Sequence, residues 1–240
     1  INLIPSEQPT SAFVDALSVA DSSARYNEHN RLRALGPDAA DVRYYKGTSF
    51  IMEKEEALKA ALRTYFGCVN VETRIISGQM ANDTVYDAVK QFRNRHRAGE
   101  APQPIARVLV HDLNKGGHLS AQVAGALKNY VAVDERTGHQ AVEHFPFQPE
   151  NPHCIDVQAT KELIARTRPE LIVFGRSVII HTEPIYEIAE FIHGEFGRDN
   201  PSRPIILYDA AHVLGLLGPY FQEPFAEGAD FVTGSTHKTY

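Results

Sequence analysis

The fold of this chain is decided by two stretches near its end. They read Ile205-Ile206-Leu207-Tyr208-Asp209-Ala210-Ala211-His212 and Asp230-Phe231-Val232-Thr233-Gly234-Ser235-Thr236-His237-Lys238-Thr239. The apolar run that ends in Asp209 predicts a buried strand with a carboxylate at its carboxyl end, the edge where open α/β sheets bind ligands. The second stretch predicts another short buried strand, which delivers Lys238.

A lysine and a carboxylate delivered in this way suit pyridoxal phosphate. The cofactor's aldehyde is held by a lysine as a Schiff base, while a carboxylate keeps the ring nitrogen protonated so that the ring accepts carbanion electrons. Taken singly, Asp209 is more often a helix cap or turn former, and Lys238 is more often a solvated surface residue. Their occurrence together, with His212 three positions after Asp209, favours the cofactor site.

Upstream, short apolar runs alternate with amphipathic segments, which is the pattern of an α/β fold with a mainly parallel sheet flanked by helices. The predicted strands are 73–76, 105–111, 129–133, 170–174, 205–209 and 229–233. The predicted helices are one that follows Ser11, then 49–66, 79–97, 119–127, 157–167 and 184–196. We expect an N-terminal arm over 1–48 and one large domain over 49–240.

The composition is that of a globular protein, and it argues against several classes of function. The chain has 240 residues, 43% of them hydrophobic, and its net charge of −6 argues against nucleic-acid binding. No apolar run approaches the roughly 18 residues of a membrane span, and the two cysteines, Cys68 and Cys154, fit a reducing cytoplasm. The 11 histidines are not paired at ligand spacing, so no metal site is expected. Because the chain begins without Met and stops two residues after Lys238, we expect a segment of a longer protein.

Three loop motifs add candidate ligand contacts. Ser77-Gly78-Gln79 comes where a predicted strand turns into a helix, so it either binds a phosphate or simply caps the helix. Gly116-Gly117-His118 lets the backbone approach a ligand, and His118 either lies flat on a pyridine ring or is a surface residue. Ser177 either reaches a ligand oxygen or forms a turn. The sequence lacks the glycine-rich nucleotide, zinc-protease and serine-hydrolase motifs, which disfavours those three classes.

Together these motifs resemble the serine hydroxymethyltransferases, a family of the aspartate-aminotransferase-like pyridoxal phosphate enzymes of fold type I. The likeness covers nearly the whole chain in order and spacing. It rests on Leu3-Ile4-Pro5-Ser6-Glu7-Gln8-Pro9-Thr10-Ser11, Tyr26-Asn27-Glu28, Arg43-Tyr44-Tyr45, Ser77-Gly78, Gly116-Gly117-His118-Leu119, Asp209-Ala210-Ala211-His212 and Thr236-His237-Lys238-Thr239. The resemblance implies the pyridoxal phosphate-binding large domain of a transferase, a dimer-interface role for the arm, and a C-terminal small domain beyond residue 240.

The resemblance also implies a role for each candidate residue. At the cofactor ring, Lys238 carries the Schiff base, Asp209 pairs with the pyridinium nitrogen and His118 stacks on the ring. His212 and Ser177 contact the side of the phenolic oxygen, and His237 adds a contact. The phosphate is bound by Ser77, Gly78 and Gln79, and Tyr26 contributes across a dimer interface. For the substrate, Ser6 and Tyr45 help to hold the carboxylate, and Glu28 moves a proton to or from the hydroxyl with Tyr44 close by. The implied assembly is a homodimer or a tetramer.

The activity that the resemblance implies is hydroxymethyl transfer in one-carbon metabolism. Such an enzyme makes or breaks the Cα–Cβ bond of serine and related β-hydroxy amino acids through a glycine quinonoid, with tetrahydrofolate as a cosubstrate. Three departures from the family pattern fall near the site: Gln79 in place of a second serine, a polar insertion between Glu28 and Tyr44, and Ser120-Ala121-Gln122 in place of Thr-His-Gly.

Two alternatives to hydroxymethyl transfer stay open. One is a folate-independent threonine-type aldolase or transaldolase, whose bulkier substrate the insertion accommodates or selects. The other is a non-catalytic family member with a structural or regulatory role, which the presence of Lys238 and Asp209 disfavours.

Overall fold

The computed structural model describes residues 4, 6–27, 44–45, 47–97, 99–135 and 137–240. The chain divides into two compact units, one of residues 8–74 and one of residues 75–240 with the described residues before Gln8. Over the described residues, no helix has both the length and the apolar character needed to cross a bilayer.

Within its described residues, the unit of residues 8–74 contains two α-helices, α1 (Ala12–Ser18) and α2 (Ser49–Phe66). Helix α1 begins where the side chain of Ser11 accepts a hydrogen bond from the N–H of Val14 as its N-cap, at the start of the helix that the sequence predicts after this residue. Helix α2 spans the predicted residues and ends at Gly67, whose φ of +64° is a left-handed conformation that glycine adopts without strain.

The larger unit contains a sheet of five parallel strands: β1 (Val108–Val110), β2 (Val142–His144), β3 (Leu171–Phe174), β4 (Ile205–Asp209) and β5 (Phe231–Thr233). The strand order is β2-β1-β3-β4-β5. The registers pair Leu207 with Phe231 and Asp209 with Thr233, so β4 and β5 end side by side. The predicted α/β fold with a mainly parallel sheet is therefore confirmed.

The described part of this unit also has four α-helices: α3 (Gly78–Arg93), α4 (Val157–Thr167), α5 (Ile185–Phe196) and α6 (Pro224–Glu227). Strands β1 and β3 are buried along their whole length, as parallel strands covered by helices on both faces require. Helix α3 packs Val85, Tyr86 and Val89 into the core cluster that includes Val108 and Leu207. This packing fixes the N-terminal end of α3 relative to the sheet.

Some predicted elements differ from those observed. Residues 73–76, predicted as a strand, do not pair with any strand of the described chain. Residues 129–133, also predicted as a strand, form only the single bridges of Val131 to Ile105 and of Val133 to Gln140. Strand β2 was not predicted, because it is a short edge strand that is only partly buried. Helix α3 ends at Arg93 rather than at Arg97, since the side chain of Asn94 turns back to bond Lys90 O and Gln103 O.

The predicted helix 119–127 is wrong. The chain forms two short 3₁₀ turns there, Leu119–Ala121 and Ala126–Asn129, with Gln122 extended between them. The backbone of Gly125 folds back onto Leu119, and a Cβ at that glycine would lie 2.2 Å from Leu119 O. A glycine that permits this close approach replaces the continuous helical turn.

Candidate active site

The candidate active site lies at the carboxyl ends of the parallel strands. Asp209 is the last residue of β4, and Lys238 follows β5 by five residues. A pocket of about 430 Å³ opens here, and its lining includes Gly78, Gln79, His118, Ser120, His237 and Lys238. The sheet topology therefore brings together four segments that are far apart in the sequence.

Asp209 is buried, with 2% of its surface exposed, and hydrogen bonds surround its carboxylate. Its Oδ2 lies 2.7 Å from His118 Nδ1 and accepts from Asn82 Nδ2 at 2.8 Å and Ser120 Oγ at 3.1 Å. Its Oδ1 accepts from the N–H of Ala211 at 3.0 Å. Burial by itself raises the pKa of Asp209, but the bonds from His118, Asn82 and Ala211 outweigh it and hold the pKa below its usual value. The carboxylate is therefore ionised although it is buried.

His118 turns one edge of its ring toward Asp209. Besides the contact with Asp209, its Nδ1 lies 2.6 Å from Ser120 Oγ, and its ring is 5.5 Å from that of His212. The turn that carries it needs Gly117, because a Cβ there would lie 2.6 Å from His111 O. His118 lines the pocket, and its stacking on a cofactor ring stays a prediction.

Lys238, which lines the pocket, lies beside His212. The Nζ of Lys238 lies 3.4 Å from Nε2 of His212. Burial lowers the pKa of Lys238, and the charge of Asp209 opposes that shift. Burial, followed by the charges of Lys238 and His118, lowers the pKa of His212 to about 4. A neutral His212 can accept a hydrogen bond from the Lys238 amine, and the lowered lysine pKa favours the neutral amine that a carbonyl group requires.

The N-terminal end of α3 forms another side of the pocket. Ser77 caps this helix, with its Oγ accepting from the N–H of Met80 at 3.1 Å, and Gly78 and Gln79 line the pocket. A Cβ on Gly78 would lie 2.8 Å from Ser235 Oγ, so glycine lets the segment before Lys238 approach the helix. The first N–H groups of a helix lack intrahelical partners and attract anions. This side of the pocket suits a phosphate.

The other predicted residues are distributed as follows. Ser177 is exposed and its N–H donates to Gly116 O at 2.8 Å, His237 is exposed on the pocket lining, and Ser6 is half-buried in a turn. Tyr26 and Tyr45 stack at 5.3 Å between ring centroids within the unit of residues 8–74, where Tyr44 is exposed. Glu28 lies outside the described residues.

A buried ion pair supports the loop that carries Ser177. The guanidinium of Arg176 donates from Nε to Glu183 Oε1 at 2.8 Å and from Nη1 to His153 O at 3.0 Å. Only 1% of each side chain in the Arg176–Glu183 pair is exposed. Arg176 also bridges Gly117 through its backbone. The pair therefore anchors two loops of the site, a role that sequence reasoning missed because Glu183 shows no pattern linking it to Arg176.

Sequence reasoning also missed Asn82 and Thr233. Thr233 Oγ1 donates to Asn82 Oδ1 at 2.6 Å, and Asn82 in turn donates to Asp209. Asn82 shares the buried face of α3 with Val85, Tyr86 and Val89. A polar side chain on an otherwise apolar helix face is the signal that could have identified it.

The pocket contains the groups that pyridoxal phosphate requires. They are a lysine amine with a lowered pKa, an ionised buried carboxylate in contact with the pocket-lining His118, and a helix N-terminus for the phosphate. This donor set fits the cofactor. Over the described residues, no group of three or more His, Cys, Asp or Glu could hold a metal ion.

Comparison with known proteins identifies the family. The family model described as serine hydroxymethyltransferase matches residues 1–240. The whole chain aligns with three proteins named serine hydroxymethyltransferase: that of Pyrobaculum calidifontis at 34% identity over 47% of its length, that of Aeropyrum pernix at 32% over 46%, and that of Methanothermobacter thermautotrophicus at 34% over 48%. The chain thus spans about half the length of the curated relatives that it matches. It belongs to the serine hydroxymethyltransferase family.

Proposed function

We propose that the full-length protein is a pyridoxal phosphate-dependent hydroxymethyltransferase that interconverts serine and glycine. The observation that carries this proposal is the ionised Asp209 held behind a pocket that Lys238 lines, in a chain of this family. When bound, the cofactor supplies an electron sink for a carbanion at the substrate Cα. The reaction makes or breaks the Cα–Cβ bond of a β-hydroxy amino acid.

Asp209 and Lys238 have the central roles at the cofactor. The negative charge of Asp209 stabilises a proton on the ring nitrogen, which increases the ring's capacity to accept electrons. Lys238 binds the aldehyde through its amine, and His212 accepts a hydrogen bond from that amine. His212 is neutral at physiological pH, so its ring adds no positive charge beside Lys238 that would also be attracted to Asp209.

The remaining cofactor contacts surround these two residues. We assign the phosphate to Ser77, Gly78 and Gln79 at the α3 N-terminus, since unpaired helix N–H groups bind anions there. We assign His118 to stacking on the ring and His237 to its border. Ser177 and His212 contact the phenolic oxygen, and Tyr26 contributes a cofactor contact from a second subunit.

The substrate contacts rest on the family resemblance. We propose that Ser6 and Tyr45 hold the amino-acid carboxylate and that Glu28 moves a proton at the β-hydroxyl, with Tyr44 beside it. A carboxylic acid near a reacting hydroxyl is a suitable general acid and base. The protein then acts as a homodimer in the cytoplasm, with residues 1–48 as its interface arm, 49–240 as its cofactor domain and tetrahydrofolate as its cosubstrate.

A folate-independent aldolase is the second candidate, favoured by the segment Ser120-Ala121-Gln122 that follows His118-Leu119. Gln122 is 7% exposed and donates from Nε2 to His111 O at 2.8 Å, so its side chain serves the loop's own structure. The residues after His118 therefore differ from the family pattern in sequence, and in this chain Gln122 is bonded within its own loop. A changed loop beside the site is consistent with a changed one-carbon acceptor.

Serine cleavage by the full-length protein, assayed with and without tetrahydrofolate, separates these candidates. A hydroxymethyltransferase cleaves serine much faster with tetrahydrofolate. An aldolase cleaves a bulkier β-hydroxy amino acid such as threonine at a rate that tetrahydrofolate does not change. A protein that binds the cofactor and cleaves neither substrate would contradict both assignments and favour a non-catalytic role.

A further inference from the structure

We propose that Asn82 is a positioning residue whose amide, oriented by Thr233, holds the Asp209 carboxylate ionised and in one fixed orientation. Asn82 itself is 1% exposed and lies at the second turn of α3. Its consequence for the cofactor rests on the proposed function, whereas its action on Asp209 can be measured without the cofactor.

The orientation of the Asn82 amide is determined by two partners on opposite sides. Its Oδ1 accepts from Thr233 Oγ1 at 2.6 Å, and its Nδ2 donates to Asp209 Oδ2 at 2.8 Å. Exchanging the two amide atoms would bring Oδ1 against the carboxylate, which can only accept when ionised. Thr233 and Asp209 are register partners at the ends of β5 and β4, so the two partners are held by the sheet itself.

Asn82 differs from the other donors to Asp209 because its amide neither titrates nor rotates away. The ring of His118, in contrast, is assigned a second role against the cofactor. The Ser120 hydroxyl can rotate, and its Oγ also lies 2.6 Å from His118 Nδ1. The charged or titratable groups that also act on Asp209 are His118 by contact and four groups through their electrostatic interaction: Lys238, His212, Tyr86 and Tyr208.

The position of Asn82 also connects the parts of the site. It lies on the helix whose N-terminus is assigned the phosphate, one turn after Gly78. Its hydrogen bonds reach the ends of β4, which carries Asp209, and β5, which leads to Lys238. One buried side chain thus holds the helix N-terminus in register with both functional strands.

The first test replaces Asn82 and Thr233 in the full-length protein. We expect Asn82→Leu to weaken binding of pyridoxal phosphate by roughly tenfold to a hundredfold, the range for a lost hydrogen bond to a charged group. The magnetic resonance signal of an isotope-labelled ring nitrogen should move toward its unprotonated position. Thr233→Val should also weaken cofactor binding and move the ring-nitrogen signal toward its unprotonated position, each by a smaller amount. Gln91→Leu is the matched control, because Gln91 also donates an amide hydrogen to a carboxylate on α3 but at the exposed face.

The second test uses Asn82→Asp, which preserves the volume of the side chain. The introduced carboxyl can donate to Asp209 only while it is protonated, and its ionisation at higher pH would place two negative charges against each other. Cofactor affinity in this variant should approach that of the wild type in acid and fall as the pH rises. The wild type should show no such fall over the same range. A purely structural role for Asn82 does not predict this pH profile. If Asn82→Leu does not fold, the Asn82→Asp variant still tests the proposal.

Two results would overturn the proposal. One is a folded Asn82→Leu protein with the ring-nitrogen signal and affinity of the wild type, and the other is an Asn82→Asp protein with the wild-type pH profile. If the wild type binds no pyridoxal phosphate, the proposed function fails. The role of Asn82 is then decided without cofactor, by measuring the pKa of Asp209 from the carbon resonance of its carboxyl group. A higher Asp209 pKa in Asn82→Leu would then support it, and an unchanged pKa would contradict it.

Discussion

Gly175 packs its backbone directly against the backbone of Asp209. A Cβ on Gly175 would lie 2.1 Å from Asp209 O and 3.1 Å from Asp209 Cα. The φ of Gly175 is +108°, a conformation that other residues adopt only with strain. The chain after β3 can therefore pass beside Asp209, toward Arg176 and Ser177, only if this residue is glycine.

We expect Gly175→Ala to destabilise the protein by roughly 3 kcal/mol, because the added methyl group both strains φ and collides with backbone that cannot move freely. The measurement is the midpoint and slope of urea unfolding. Gly138→Ala is the matched control, since Gly138 has a φ of +71° and nothing within 4 Å of an added Cβ. Gly138→Ala should lower the free energy of unfolding by about 1 kcal/mol, from backbone strain alone. Equal losses in the two variants would contradict the role of the close approach.

The pKa of His212 predicts a loss of stability in acid. Burial is the main cause that lowers this pKa from 6.5 to about 4 in the folded protein. As the pH falls through that interval, the unfolded chain takes up a proton that the folded chain does not, so the folded state loses stability. We expect His212→Gln to reduce the slope of unfolding free energy against pH between about 6.5 and about 4. The variant His96→Gln, at an exposed position, controls for the removal of a histidine. The same slope in wild type and His212→Gln would contradict this account.

The role of Asp209 can be separated from the stability of the fold. We expect Asp209→Ala to remain folded but to exchange the α-proton of glycine far more slowly than the wild type, because an unprotonated ring nitrogen is a weaker electron sink. Asp209→Glu should retain more activity than Asp209→Ala. The measurement is loss of the glycine α-proton signal in heavy water with the cofactor present. Exchange by Asp209→Ala at the wild-type rate would show that Asp209 does not have this role.

The local pattern of the sequence predicted the functional strands well. Strand β4 and helices α2 and α4 have the predicted bounds, because each is a periodic apolar segment ended by a clear cap or by a polar residue. Asp209 and Lys238 could be proposed from the sequence because Asp209 ends such a strand and Lys238 lies in the loop that follows another. Helix 119–127 and strand β2, two of the segments predicted incorrectly, have conformations that depend on packing by distant residues rather than on their own pattern.

The supporting residues of the site could not be read in the same way. Asn82 and Asp209 are 127 positions apart, and only the folded sheet reveals that they bond. Arg176 and Glu183 are close in sequence, but their burial as an ion pair depends on how the loop after β3 folds. Motifs thus predicted the residues assigned to the cofactor, whereas the network that orients them required the structure.

From the family resemblance we propose that Glu28, in the interface arm, acts in the site of the neighbouring subunit, so that each site combines Glu28 of one subunit with Lys238 of the other. This arrangement predicts complementation. Glu28→Gln should slow proton transfer at the β-hydroxyl far more than it weakens amino-acid binding, because the amide is nearly isosteric but cannot take up a proton. Mixing inactive Glu28→Gln and Lys238→Ala subunits should restore activity, since one of the two hybrid sites holds both native residues. Absence of activity in confirmed mixed dimers would mean that the two residues act in the same subunit's site or that Glu28 has no chemical role.

The most direct test of the central claim is to identify the lysine that binds the cofactor. The full-length protein should show a visible absorption band with pyridoxal phosphate, and borohydride should abolish that band by fixing the cofactor to a lysine. Peptide mapping should then find the label on Lys238, and Lys238→Ala should lose the lysine-linked band. A label on another lysine, with Lys238 unmodified, would contradict the account.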